Sequence, residues 1–158
     1  ESLEEAGVTI IRDGLIALSR WVTPVGLPKR FDTWFFAARA LDEHVQVDGG
    51  EIHEHRWMRP EVALAAQRRG ELELPPPTFV TLTGLAGHRN VSAALESIAG
   101  QPFETFEPRL HMMPGGACTL YADDAGYEDG DVDRPGPRHR LVMLESGWRY
   151  ERTDVKAA

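Results

Sequence analysis

Glu1-Ser2-Leu3-Glu4-Glu5-Ala6-Gly7-Val8 opens the chain, and its spacing frames everything downstream. Glu1, Glu4 and Glu5 stand at i, i+3 and i+4, positions that share one face of a helix. Gly7 is a natural helix stop. Three like charges on one face repel unless something offsets them. Two readings are open at this point. Acidic residues are favoured at a solvated helix start by the helix dipole. Alternatively, a hard divalent cation such as Mg²⁺ accepts carboxylate oxygens and keeps waters for substrate phosphates. The octet reads as the interior of an element, so the chain is expected to begin partway through one.

Downstream, Val8–Ile11 is a short β-branched run closed by the turn pair Asp13-Gly14. Leu15–Val22 reads as a strand. Thr23–Arg30 holds Pro24, Gly26 and Pro28 and reads as a loop. Phe31–Leu41 is apolar and aromatic and predicts a buried strand, and Glu51–Met58 predicts the next. Pro60 suits the first turn of a helix running to Gly70. The triplet Pro75-Pro76-Pro77 leads into a second helix over Thr78–Leu85, and Asn90 caps a third that runs to Gly100. Pro108–Met113 and Ala117–Tyr121 predict short strands. Asp123–Pro137 reads as a solvated acidic loop, and Arg140–Leu144 with Trp148–Arg152 as a closing hairpin. Strands, then helices, then strands predict an α/β or α+β layered domain.

The 158 residues suit one domain with its own core. With 25 acidic against 17 basic residues, the net charge of −8 argues against nonspecific nucleic-acid binding, which needs a basic face. No apolar run approaches the ~20 residues of a membrane-spanning helix. One cysteine, Cys118, excludes an internal disulfide and a cysteine-only metal site. A cytoplasmic location is the expectation.

The opening octet resembles the second half of the Nudix box: Glu1, Glu4, Glu5, Gly7 and Val8 match that pattern, and Ser2 departs from it at a position that is usually apolar. The arginine of the box would immediately precede Glu1. Further on, Trp21-Val22-Thr23-Pro24 and Lys29-Arg30-Phe31-Asp32-Thr33-Trp34 are similar to the branch that includes peroxisomal coenzyme A diphosphatases. So are Glu51–Pro60, with Arg56-Trp57, and Leu74-Pro75-Pro76-Pro77-Thr78-Phe79. The resemblance covers residues 1–85 and implies an α/β/α sandwich with a mixed sheet. Its early strands would lie ahead of this sequence. Residues 86–158 would be a C-terminal extension of helices and a β-hairpin within one domain.

The resemblance further implies a Mg²⁺- or Mn²⁺-dependent pyrophosphohydrolase acting on a nucleoside diphosphate linked to another group, with coenzyme A or an acyl derivative among the substrates. It places Glu4 and Glu5 at metal-ligand positions, and Glu1 at a position that binds metal or orients the attacking water. Arg30 becomes a candidate phosphate contact, because a guanidinium meets phosphate with a fork of donors. Phe31 becomes a candidate substrate contact beside it, although Phe31 and Trp34 are more usual as core residues than as stacking platforms. Glu51 or Glu54 could add a base or ligand. A homodimer is common in the family. Without the upstream half of the box, the chain alone is expected to be inactive and poorly stable.

Other constellations are weaker. His53 and His55 alternate on one face of the expected strand, but no third zinc ligand has convincing spacing. Asp129-x-Asp131-x-Asp133 begins like a calcium loop and then fails, with Arg134 in place of the glycine and Arg140 in place of the bidentate glutamate. Gly84-Leu85-Ala86-Gly87 and Pro114-Gly115-Gly116 lack a phosphate-loop fingerprint. Cys118 lies in an apolar strand and is expected to be buried. The competing function is a scaffold that binds a nucleotide or a protein without hydrolysis, a role with no need for three clustered carboxylates.

Overall fold

The computed structural model describes residues 14–26, 28–40 and 55–153. Strand β1 (Ile16–Val22) sits at the centre of the first sheet. Its two buried residues, Ser19 and Trp21, share a face, as the two-residue strand period requires. On one side it pairs antiparallel with β2 (Asp32–Ala37). On the other it pairs in parallel with β3 (Glu104–Phe106), Trp21 opposite Phe106.

Among the described residues three helices lie between β2 and β3 in sequence. They are α1 (Pro60–Arg68), α2 (Pro76–Leu85) and α3 (Val91–Ala99). α1 and α2 both open on proline, whose missing N–H would have no helical partner at that position. Asn90 caps α3 by accepting a hydrogen bond from the Ala93 N–H at 2.9 Å. A second, antiparallel sheet follows, in the order β4 (Arg109–Met113), β5 (Gly116–Leu120), β6 (His139–Leu144) and β7 (Gly147–Arg152). The described architecture is therefore mixed α/β, with three helices, one mixed sheet and one antiparallel sheet. No helix among the described residues is long and apolar enough to cross a membrane.

Aromatic packing joins the two sheets. The Trp21 ring stacks on Phe106, centroids 3.9 Å apart. Tyr121, just beyond β5, meets both edge-on, at 5.6 and 5.1 Å. Phe79 of α2 packs on Trp148 of β7 at 5.4 Å. The Tyr121 hydroxyl is buried without a hydrogen-bond partner among the described residues. An unmade hydrogen bond at a buried hydroxyl costs roughly 1–3 kcal/mol. Tyr121→Phe keeps the ring contacts and removes that hydroxyl, so it is expected to stabilise the protein by about 1 kcal/mol. A urea midpoint that moves down instead of up would refute this.

Several expectations are corrected. The segment Phe31–Leu41 yields β2 over Asp32–Ala37, and this strand is not buried: Trp34 and Phe36 are each 53% exposed. Among the described residues β2 is the edge of its sheet, and Trp34 stacks on Phe103 instead of entering the core. Phe31, 55% exposed, is not a core residue either. Of the strand expected over Glu51–Met58, residues 51–54 lie outside the described residues, and residues 55–58 form no strand. The chain there runs extended into Pro60, as the residue before a proline must, but finds no ladder. The loop over Asp123–Pro137 is anchored, not simply solvated, since Asp124 is buried against Arg140. β3 has no counterpart in the sequence reading.

Candidate functional site

The β1–β2 connection is held by one residue, Thr23. Its N–H donates to the Phe31 carbonyl at 2.9 Å, and its hydroxyl accepts from the Phe31 N–H at 2.8 Å. Its own carbonyl accepts from Arg30 Nε at 3.2 Å. That last bond orients the Arg30 guanidinium while engaging only one of its donors. Lys29 Nζ lies 4.9 Å from the centre of the Phe31 ring, in cation–π range. Just inside the hairpin, Arg20 and Asp32 pair across the strands through two hydrogen bonds of 2.8 and 2.5 Å. Arg20 thereby holds the Asp32 carboxyl below its ordinary pKa.

Phe31 and Thr23 also line a cavity of about 510 Å³. It opens between the hairpin, the proline triplet ahead of α2, and the second sheet. A separate cavity of about 610 Å³ lies between β1, β2 and the helices, with Arg59 and Arg89 among its walls. At its edge Glu61 accepts from the Gly87 N–H at 2.9 Å, which pulls the Glu61 carboxyl down from its ordinary pKa.

A polar cluster, missed in the sequence reading, lies along the second sheet and reaches β3 of the first. Asp124 accepts from Arg140 Nε at 2.7 Å and from a second guanidinium nitrogen at 2.6 Å. It also accepts from the N–H groups of His139 and Gly126, at 2.8 and 2.9 Å. Burial alone would raise the Asp124 pKa; the guanidinium and the two N–H groups outweigh it and bring it down to about 2. The His139 ring bonds the Ala122 carbonyl at 2.6 Å and the Tyr150 hydroxyl at 2.9 Å. Burial is the largest influence on His139 and holds its imidazole below its ordinary pKa. Arg152 meets Glu104 of β3 at 2.7 and 3.2 Å. Asp124 thereby pins the loop after β5 onto β6, and the Arg152–Glu104 pair links β7 to β3 of the first sheet. The signal in sequence was Arg140 itself, a cation inside an apolar strand that needs a buried partner.

The structure brings Arg30 and Phe31 together on one ordered hairpin. Glu1, Glu4 and Glu5 lie outside the described residues, as do His53, Glu51 and Glu54. Among the described residues no group of three or more His, Cys, Asp or Glu side chains could hold a metal ion. In the rejected calcium segment, the Asp129 and Asp131 carboxylates accept from backbone N–H groups two residues on, and Arg134 pairs with Asp129.

Comparison with known proteins adds an independent line. The chain is 32% identical, over 157 aligned positions, to "Putative nudix hydrolase 7" of Caenorhabditis elegans, covering 88% of this chain and 52% of the relative. It is 28% identical over 123 positions to the human acyl-coenzyme A diphosphatase NUDT19, covering 69% of this chain and 32% of the relative. For the Xenopus laevis acyl-coenzyme A diphosphatase NUDT19 the identity is 27% over 151 positions, with 85% and 39% covered. The chain thus spans about half or less of the length of these curated relatives. No family model matches the chain. No solved structure matches it. On these alignments, and with the residues of the opening octet, the chain is a distant homologue of the Nudix hydrolases.

Proposed function

We propose that the protein is a metal-dependent pyrophosphohydrolase that cleaves a nucleoside diphosphate linked to another group, with coenzyme A or an acyl-coenzyme A as substrate. The observation that carries this reading is Glu1, Glu4 and Glu5 at helical spacing in a chain whose distant homologues are Nudix hydrolases. The acyl-coenzyme A choice follows the printed activity of two of those relatives. The mixed α/β architecture accords with an α/β/α sandwich.

The donor set fits the metal this chemistry requires. Three carboxylates are hard oxygen ligands, suited to Mg²⁺ or Mn²⁺. Glu4 and Glu5 would hold the ion, and Glu1 would bind it or orient the attacking water. When bound, the metal supplies positive charge to a diphosphate that becomes more crowded with negative charge as the bond breaks. Arg30, steered by the Thr23 carbonyl, has N–H groups with no partner among the described residues that can meet a phosphate oxygen. Water attacks phosphorus, the P–O bond of the bridging oxygen breaks, and the leaving phosphate carries that electron pair away.

The direct test is hydrolysis of coenzyme A and of ADP-ribose, with Mg²⁺ or Mn²⁺ and followed by product chromatography, by a protein in which the upstream half of the box precedes Glu1. Turnover that depends on the metal and splits the diphosphate, each product keeping one of its two phosphoryl groups, supports the reading; no turnover of either substrate with either metal overturns it. A charge-assisted hydrogen bond is worth roughly 1.5–3 kcal/mol, so Arg30→Ala is expected to lower kcat/KM by about tenfold or more. Arg30→Lys is expected to recover only part of the loss, because an ammonium lacks the fork. Equal kcat/KM in wild type and Arg30→Ala would remove Arg30 from the site.

A further inference from the structure

We infer that the 510 Å³ cavity beside the β1–β2 hairpin is a binding pocket for an apolar chain, the acyl arm of the substrate. This rests on the diphosphatase reading for the identity of the substrate, but not for the pocket itself. The volume falls in the range of small-molecule sites. The wall is formed by Trp21, Phe31, Leu110, Tyr121 and Met143, together with five prolines. Among the described residues no charged side chain lines it. Its polar side chains are four threonines, the Trp21 indole and Tyr121. Thr23 is already bonded to Phe31, the Trp21 indole N–H donates to Ser19 at 2.9 Å, and the Tyr121 hydroxyl is shut away from solvent.

These walls decide the class of occupant. A diphosphate cannot enter, because nothing inside would offset its lost hydration. A nucleobase would find only the hydroxyls of Thr33, Thr78 and Thr119 among the described side chains for the many donors and acceptors on its edges. An aliphatic chain needs none and gains from each methylene it removes from water. The prolines carry no N–H, so the wall is short of backbone donors as well. Lys29 and Arg30 directly precede the wall residue Phe31, and Arg30 bonds the wall residue Thr23. An anionic group on the same ligand would therefore meet cations next to the pocket. An apolar chain joined to a phosphate-bearing part matches both features.

The test uses a probe with no nucleotide. Binding of N-butanoyl-, N-hexanoyl- and N-octanoyl-cysteamine to the protein is measured by calorimetry. Affinity is expected to rise about fourfold for each added methylene. Leu110→Trp and Thr33→Trp each place bulk at partly exposed wall positions on two different strands. Each is expected to weaken the octanoyl probe by at least about tenfold and to flatten the chain-length dependence. Two variants on separate strands keep the result interpretable if one misfolds, and thermal melts identify that case. Absence of octanoyl binding, or binding that both folded variants retain unchanged, overturns the proposal. Coenzyme A hydrolysis without probe binding would overturn the pocket and leave the diphosphatase reading standing. Probe binding in a protein that hydrolyses no diphosphate would do the reverse.

Discussion

Replacing Asp124 with alanine is expected to cost about 3–5 kcal/mol, the usual penalty for leaving one partner of a buried ion pair alone. The Asp124 side chain is fully buried and that of Arg140 is 7% exposed. Without the carboxylate, Arg140 would keep the Val132 carbonyl at 2.6 Å as its remaining hydrogen-bond acceptor. The His139 and Gly126 N–H groups would lose their acceptor too. A domain is stable by roughly 5–15 kcal/mol, so this one change would consume a large part of the total. Asp124→Ala combined with Arg140→Met should cost much less than the two single changes added together, because the stranded charge is gone. Urea unfolding of the three variants measures this. A midpoint within experimental scatter of wild type for Asp124→Ala would show that the buried pair does not hold the β5–β6 loop in place.

The same carboxylate sets an acid limit. Its pKa lies at about 2 in the folded protein against an ordinary value of 3.8. A depressed carboxylate contributes stability that is fully present above the unfolded value and is lost as pH falls through the folded one. The window is therefore from just above pH 4 down to about 2. About 2 kcal/mol is at stake across it. Asp124→Asn should flatten this part of the stability profile. An unchanged acid limb would assign it to other carboxylates.

Glu5→Gln is expected to lower metal-dependent hydrolysis by about a hundredfold to a thousandfold, the scale of losing one electrostatic contact to the reacting phosphate. Glutamine keeps the size of the side chain and removes its charge, so it is a far weaker ligand for a hard cation. Stability should hold or rise, because one of three crowded like charges disappears. The variant thus separates chemistry from folding. Mn²⁺ binding followed by magnetic resonance should weaken in parallel with the rate. Wild-type turnover in Glu5→Gln would dismiss the metal assignment, and weakened turnover with unchanged Mn²⁺ affinity would move Glu5 away from the ion.

Local chemistry was legible directly. The helix starts at Pro60 and Asn90 and the closing hairpin around Glu145 and Ser146 follow from proline at a first turn, a side-chain acceptor at a cap, and alternating residues around a turn. The three-carboxylate spacing and its resemblance were also there to read, and the distant homologues agree with the resemblance. Tertiary structure decided what depends on a partner distant in sequence. β3 is only three residues long and exists because β1 offers it an edge. The aromatic run of β2 looks buried in one dimension, yet it forms a sheet edge and leaves Trp34 and Phe36 exposed. Arg140, a cation inside an apolar strand, finds its partner only when Asp124, 16 residues earlier, is folded onto it. The apolar cavity arises from the hairpin, the proline triplet and the second sheet together. Hydrophobic periodicity and capping act within a few residues and can be read along the chain. Edge pairing, charge burial and cavities come from segments brought together by packing, and only the folded arrangement shows them.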